Sequence, residues 1–180
     1  MALPNPGTYQ VDPVHSQVGF VVRHLVASKV RGVFTDFSGE ITIADSAEAS
    51  AVRATVQAAS ITTNNEMRDG HLKSADFLDL ENHPTLELAS KSISAKGGDK
   101  YALVADLTIR GVTKEVTFDL EFLGSGPGMA PNTEVAGFEA TVEIDRRDFG
   151  ANFEGTLENG SLVVANKVTI HLEIEAVKEG

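Results

Sequence analysis

Acid, imidazole and hydroxyl groups lie close together at one place in the chain, Asp12-Pro13-Val14-His15-Ser16. An acid, a histidine and a serine are the groups of a serine hydrolase, in which the histidine deprotonates the nucleophile. Such triads are defined by spatial geometry, and three near neighbours at one strand end seldom point at a single substrate atom. Short polar side chains there more often hydrogen bond to the backbone. We expect no catalysis, and keep a cofactor-free hydrolase using Asp12, His15 and Ser16 as an alternative.

The histidines and the missing cysteines bear on metal chemistry. The histidine spacing has neither the i, i+4 helical pair of zinc proteases nor a His-x-His pair. The histidines are His15, His24, His71, His83 and His171. The chain has no cysteine, which excludes thiol catalysis, disulfides, Cys-ligated zinc and iron–sulfur clusters. The sequence therefore predicts no metal site and no cofactor.

Hydrogen-bond donors are densest at Arg68-Asp69-Gly70-His71-Leu72-Lys73. One interpretation is a solvated helix surface with an internal Arg–Asp pair, which adds little stability. The other is a polar cap over an opening, where Arg68, His71 and Lys73 contact an anionic or quinone head group. Arg146, directly after a predicted strand, is a second candidate anchor at a rim. His24 shares the parity of three apolar neighbours, so it is either a core histidine or a donor to the polar end of a ligand.

Two-residue alternation of apolar and polar side chains recurs along the chain and predicts half-buried strands. Short turns at Lys96-Gly97-Gly98-Asp99 and Arg110-Gly111-Val112 indicate antiparallel hairpins. This spacing favours an all-β sandwich or up-and-down barrel over a βαβ fold. The alternating segments are Val18–His24, Val33–Ile43, Val52–Ala58, Tyr101–Ile109, Val116–Phe122, Phe138–Asp145 and Lys167–Ala176.

One segment loses the alternation. Thr63-Asn64-Asn65-Glu66 has the form of a helix capping box, which predicts a short helix over residues 64–80, interrupted at Gly70.

Residues 124–131 are rich in glycine and proline, and we expect a hairpin loop there without regular pairing.

The chain length and net charge restrict the number of domains and the classes of partner. The 180 residues, 19.1 kDa, predict one domain spanning residues 1–180. The net charge is −11 and no basic run is present, which disfavours nucleic acid and peripheral membrane docking. No apolar stretch is long enough to span a bilayer, so we expect no integral membrane protein. The N-terminus lacks the features of a signal peptide, which indicates a cytoplasmic protein, or a periplasmic or secreted one if a leader was removed.

Side chains on the inward parity of the strands carry no charge, which predicts an apolar interior. Several of them are small, at Val52, Ala54, Val56, Ala58, Ala105 and Ala140. Small residues leave space, which favours a ligand-binding barrel over the remaining alternative, a purely structural barrel with a filled core. Strands of ten residues, tilted by about 45°, give a barrel about 23 Å tall, which suits an extended chain. The larger inward residues are Phe20, Val22, Phe37, Leu103, Leu107, Phe118, Leu120, Phe138, Val142 and Ile144.

A series of motifs in order along the chain resembles the YceI-like family of bacterial lipocalin-like proteins. The most specific is Arg68-Asp69-x-His71-Leu72-x-Ser74-x-Asp76-Phe77. The resemblance extends over nearly the whole chain. The other motifs are Asp12-x-x-His15-Ser16, Phe20-x-x-x-His24, Gly32-x-Phe34-x-x-Phe37-x-Gly39, Leu107-Thr108-Ile109-Arg110-Gly111-Val112-Thr113-Lys114 and Arg146-x-Asp148-Phe149-Gly150.

This resemblance implies an extended eight-stranded antiparallel barrel around a long apolar cavity. It also implies non-enzymatic binding of a polyisoprenoid lipid, such as an isoprenoid quinone or a prenyl phosphate. The tail would contact the large inward residues together with Leu72 and Phe77, and the head group would meet His24, Arg68, His71 or Arg146. A fatty acid suits the same interior, and a homodimer stays open as a partner.

Overall fold

The computed structural model describes residues 3–25, 27–160 and 162–179, and this part of the chain is predominantly β-structure. One α-helix, α1, spans Glu66–Lys73, and short 3₁₀ turns lie at Ala47–Ala49, Ala58–Ser60 and Arg146–Phe149. The strands are β1 (Gly7–Val11), β2 (Gln17–His24), β3 (Ser28–Phe34), β4 (Phe37–Ile43), β5 (Ala51–Gln57), β6 (Ile61–Thr62), β7 (Thr85–Gly97), β8 (Lys100–Ile109), β9 (Val112–Pro127), β10 (Thr133–Asp145) and β11 (Val164–Glu179).

Eight strands close into an antiparallel barrel, in the order β1-β4-β5-β7-β8-β9-β10-β11. The ring closes where Gln10 and Val11 of β1 pair with Val177 and Ala176 of β11. The eight-stranded antiparallel barrel predicted from the sequence is therefore confirmed. Closure removes the unpaired edges that an open sheet would expose.

The hairpin of β2 and β3 extends this barrel along the first half of β11. β11 pairs with β2 from Val164 to Glu173 and then with β1, so the segment between β1 and β2 leaves the sheet where β11 changes partner. β6 pairs with the far side of β3. We call the end of the barrel that carries α1 and the Arg110–Gly111 turn the helix end; the tip of the β2–β3 hairpin, around Leu25, also lies there.

The helix is shorter than the sequence predicts. It runs from Glu66 to Lys73 without an interruption at Gly70, and hydrogen-bonded turns follow it as far as His83. Asn65, rather than Thr63, is the N-cap, because its side chain accepts a hydrogen bond from the backbone N–H of Arg68. The predicted capping box is therefore wrong, and Thr63 is buried as a partner of Asp69.

Two strand predictions also need correction. The segment Val33–Ile43 was expected as one strand, but it forms the end of β3 and the whole of β4, with a turn at Thr35 and Asp36 between them. Residues 124–127 were expected to lie in a loop, but they continue β9 and pair with β10. Pro127 is tolerated because it is the last residue of its strand.

The core follows the alternation of the strands. In β8, Tyr101, Leu103, Ala105 and Leu107 are buried while the residues between them are more exposed, as predicted from the sequence. A register shift between Ser90 and Ser92 breaks the alternation of β7, which the sequence therefore does not predict.

The one α-helix among the described residues is too short to span a bilayer.

Two glycines give opposite predictions for the same substitution. Gly111 has a φ of +69° in the β8–β9 turn, and a Cβ there would lie 2.6 Å from Cε1 of His83. Gly70 lies in α1, and a Cβ there would meet no atom within 4 Å. We expect Gly111→Ala to destabilise by at least about 1–2 kcal/mol and Gly70→Ala to stabilise by about 0.5–1 kcal/mol. Urea denaturation of both variants measures this difference, and shifts in the same direction would contradict the assigned backbone conformations.

Candidate functional site

A cavity of about 300 Å³ lies inside the barrel, with walls that are almost entirely apolar. This volume is at the lower end of the range for small-molecule sites. Every residue predicted to contact a lipid tail lies on its wall except Val142, which is buried but packs within the core. The residues on the wall are Phe20, Val22, Phe37, Leu72, Phe77, Leu103, Leu107, Phe118, Leu120, Phe138 and Ile144.

Small residues give this cavity its space, as the sequence predicts. Val52, Ala54 and Val56 of β5 line one side of it, and Ala140 of β10 lines another. Two of the predicted small residues, Ala58 and Ala105, are buried but are not part of the wall.

Other wall residues were not predicted from the sequence. Leu86, Leu88 and Ile93 of β7 belong to the wall, although the change of parity at the bulge hides them. Leu3 also contributes, from the segment before β1.

Among the described residues, Arg146 is the cation on the cavity wall, and its N–H groups donate to acceptors within the protein. Only 6% of this residue is exposed. Its Nε donates to the carbonyl of Ala165, Nη1 to that of Ala151, and Nη2 to that of Phe153 and to the side chain of Asn166, at 2.5–3.1 Å. Burial lowers the pKa of Arg146 from its usual value. The guanidinium therefore fixes the backbone at the helix end.

Aromatic rings close the cavity next to this arginine. The guanidinium of Arg146 lies 5.8 Å from the ring centre of Phe77. Phe77, Phe153 and His71 pack on one another, with ring centres 4.8–5.3 Å apart. Arg110, part of a family motif but not a predicted ligand contact, donates to the carbonyls of Ala75 and Phe77 at 2.7 and 3.1 Å. Arg110 thus holds the backbone that carries Phe77, and Arg146 contacts its ring.

Arg68, predicted to meet a head group, instead contacts the segment that precedes the helix. Its Nε donates to Thr63 Oγ1 at 2.7 Å and its Nη2 to the Thr63 carbonyl at 3.0 Å. Asp69 accepts from the backbone N–H and the hydroxyl of Thr63. Burial would raise the pKa of Asp69, but these hydrogen bonds lower it below its usual value. Arg68 and Asp69 therefore both stabilise the start of α1.

The two histidines predicted near the head group also lie outside the wall of the cavity. His71 pairs through Nε2 with Oδ2 of Asp76 at 2.8 Å, and its ring covers Phe77. His24 is half-buried at the end of β2, opposite Val164. Of the four predicted head-group residues, only Arg146 lies on the wall, and a head-group role for the other three stays a prediction.

The Asp12-His15-Ser16 cluster does not have the arrangement of a catalytic triad. His15 Nδ1 lies 2.8 Å from Asp12 Oδ2, and this hydrogen bond raises the pKa of His15. The hydroxyl of Ser16 donates to the carbonyl of Glu175 and accepts from its backbone N–H. The serine therefore pairs with β11 rather than with the histidine that would activate it.

Two groups of possible metal ligands lie on the outer surface of the described residues. In each, one imidazole and two carboxylates have ligand atoms within 4.8 Å of one another. Ion pairs among exposed residues produce the same proximity without a metal, so we assign no ion to either group. The groups are Asp12, His15 and Glu175, and Glu139, His171 and Glu173.

Comparison with known proteins identifies the family. The family model described as YceI-like domain matches residues 9–176. The chain belongs to the YceI-like family. It is 35% identical over 171 residues to a UPF0312 protein of Staphylococcus aureus (strain MSSA476), an alignment that covers 93% of this chain and 95% of the relative.

Solved structures show the same fold. The YceI protein of Campylobacter jejuni superposes with a TM-score of 0.76 at 30% identity, covering 88% of this chain and 90% of its own. A polyisoprenoid binding domain from Saccharophagus degradans superposes with a TM-score of 0.64 at 16% identity, covering 93% and 97%. At this last identity the likeness concerns the fold alone.

Adjacent arginines in this YceI-like protein provide a test of the buried guanidinium. Arg147, beside Arg146, is half exposed and pairs with Asp145. We expect Arg146→Gln to destabilise by about 3 kcal/mol or more, because buried carbonyls lose their donors. Arg147→Gln removes the same charge but should cost only about 1 kcal/mol, because the Arg147 guanidinium is half exposed, although its partner Asp145 is mostly buried. Thermal and urea denaturation measure both, and equal losses would contradict the role given to Arg146.

Proposed function

We propose that this YceI-like protein binds a long-chain isoprenoid lipid in its barrel cavity and catalyses no reaction. The observation that carries the proposal is the cavity wall, which is almost entirely apolar from β5 across to β10 and β11, with Glu87 and Arg146 as its charged residues. The fold shared with a polyisoprenoid binding domain supports this ligand class. A tail that buries roughly 400 Å² would gain about 10 kcal/mol from transfer, before the costs of association.

The head group of the ligand is proposed to stay outside the apolar part of the cavity. Among the described residues the wall has one cation, Arg146, whose donors are taken up by backbone carbonyls and Asn166, and one carboxylate, Glu87. An anionic head group inside would be desolvated without gaining an ion pair, which is costly. Affinity therefore depends on the tail, and quinones and prenyl phosphates with equal tails should bind similarly.

Native mass spectrometry of gently purified protein, followed by organic extraction, identifies the ligand. We expect one isoprenoid for each barrel. A fatty acid in the extract would contradict the isoprenoid and support the alternative, a fatty-acid-binding protein. Extracts without lipid, together with no uptake of a prenyl quinone in titration, would contradict the proposed function.

Filling the cavity tests its occupancy with a control on the same strand. Ala54 lies on the cavity wall, whereas Ala51 of the same strand is exposed. We expect Ala54→Phe to weaken prenyl quinone binding by about tenfold or more, because the added ring occupies space needed by the tail. Ala51→Phe should leave the affinity unchanged. Fluorescence titration of folded variants measures both, and equal affinities would place the ligand elsewhere.

Arg68→Ala separates the two roles considered for this arginine. Since Arg68 contacts Thr63, its loss should destabilise α1 and weaken a neutral prenyl quinone and an anionic prenyl phosphate by the same factor. A loss confined to the phosphate, on the order of tenfold or more, would instead establish Arg68 as a head-group contact. Paired titrations, with thermal melts to show that the variant is folded, distinguish these outcomes.

A further inference from the structure

The β2–β3 hairpin carries positive charge on its outer face, although the protein is acidic. Residues 13–35 contain Arg23, Lys29 and Arg31 and no Asp or Glu. The rest of the chain therefore holds 12 Lys and Arg against 26 Asp and Glu, a net charge of −14. These cations are separated in the sequence and form no basic run, so only the folded hairpin brings them together.

The register of the hairpin places all three cations on one face. Arg23 pairs directly with Lys29, and Arg31 pairs with Val21, two residues away from Arg23. Paired residues share a face, as do residues two apart in a strand. All three side chains are exposed. The opposite face carries Val22, which lines the cavity.

Nothing in the described part of the chain neutralises these cations. No carboxylate of the described residues lies within 4.0 Å of Arg23, Lys29 or Arg31, whereas Lys91 and Lys96 each form such a pair. Like charges directly opposite one another on two strands are destabilising. Other described cations, such as Arg53 and Lys167, also lack a carboxylate within 4.0 Å. What sets the hairpin apart is that three such cations share one face of a segment without Asp or Glu, and this clustering indicates an anionic partner outside the chain.

An exposed apolar side chain lies at the tip of the same hairpin. Leu25 is 39% exposed and has a φ of +48°, and its backbone N–H donates to the Val163 carbonyl at 2.9 Å. The loop that contains Val163 carries the exposed Glu154 and Glu158, so the basic surface is confined to the hairpin. Cations beside an exposed leucine are typical of segments that lie at a membrane surface.

We propose that the outer face of the β2–β3 hairpin docks this protein on anionic lipid membranes. The surface consists of Arg23, Lys29 and Arg31, with Leu25 entering the interface. A nucleic acid would satisfy the cations but would leave Leu25 in water, so the membrane fits both features. This docking rests on the proposed function, because a protein that carries a water-insoluble ligand must exchange that ligand with a bilayer. The inner face of the same hairpin forms part of the cavity wall.

Vesicle sedimentation tests the docking surface with two triple variants of equal charge. Arg23→Gln/Lys29→Gln/Arg31→Gln removes the surface, and Lys91→Gln/Lys96→Gln/Lys100→Gln removes three cations from β7 and β8. Both have a net charge of −14, three below −11. With phosphatidylcholine vesicles containing a quarter phosphatidylglycerol at low salt, the hairpin variant should partition about 100-fold more weakly than the wild type. The β7–β8 variant should lose less than about threefold.

Leu25→Asn tests the apolar contact separately, since asparagine tolerates the positive φ at this position. It should weaken partitioning several-fold even at high salt, where the effect of the cations is screened. Equal losses in the two triple variants, no wild-type binding to the anionic vesicles, or binding to duplex DNA in place of vesicles would each overturn the docking surface. Native mass spectra of the same preparations report cavity occupancy, so failure of the proposed function is seen independently.

Discussion

The buried guanidinium of Arg146 satisfies carbonyls of the segment between β10 and β11 and of the start of β11. This segment leaves the sheet beside the apolar cavity. Buried carbonyls without a donor are costly, and five N–H groups in a rigid plane can serve several of them at once. Arg146 does so for Ala151, Phe153 and Ala165, and Arg110 does the same for Ala75 and Phe77.

This use of arginine directs the one cation on the wall among the described residues toward the backbone, and the other charged residue there is Glu87. A cation that faced the lumen with free donors would select an anionic ligand and would be costly when the cavity held a neutral one. With Arg146 directed to the backbone and Arg68 directed to Thr63, selection inside the barrel depends on shape and apolar area. In the proposed function, the same arginine that completes the helix end therefore also favours a hydrocarbon ligand.

The strands that could be predicted from the sequence are those whose alternation is uninterrupted. In β8, β10 and β11 the buried faces follow the predicted parity, whereas the bulge near Ser90 hides β7. The capping box failed because Thr63 has a better partner in Asp69, six residues away. The contacts of Arg146 reach carbonyls as many as 19 residues away, brought together only by the return of β11. Local patterns do not encode such contacts, so its motif indicated importance but not its role.

The β2–β3 hairpin shows how a two-residue period lets one element serve two environments. Its inner face packs Phe20 over Gly32, where a Cβ would lie 2.3 Å from the ring, and so completes the apolar wall. Its outer face places Arg23 opposite Lys29 without a carboxylate partner among the described residues. Packing on the inner face stabilises the pairing against repulsion on the outer face, because fixing Phe20 also fixes the register. The hairpin can therefore hold unpaired charge at its surface without losing its place in the wall.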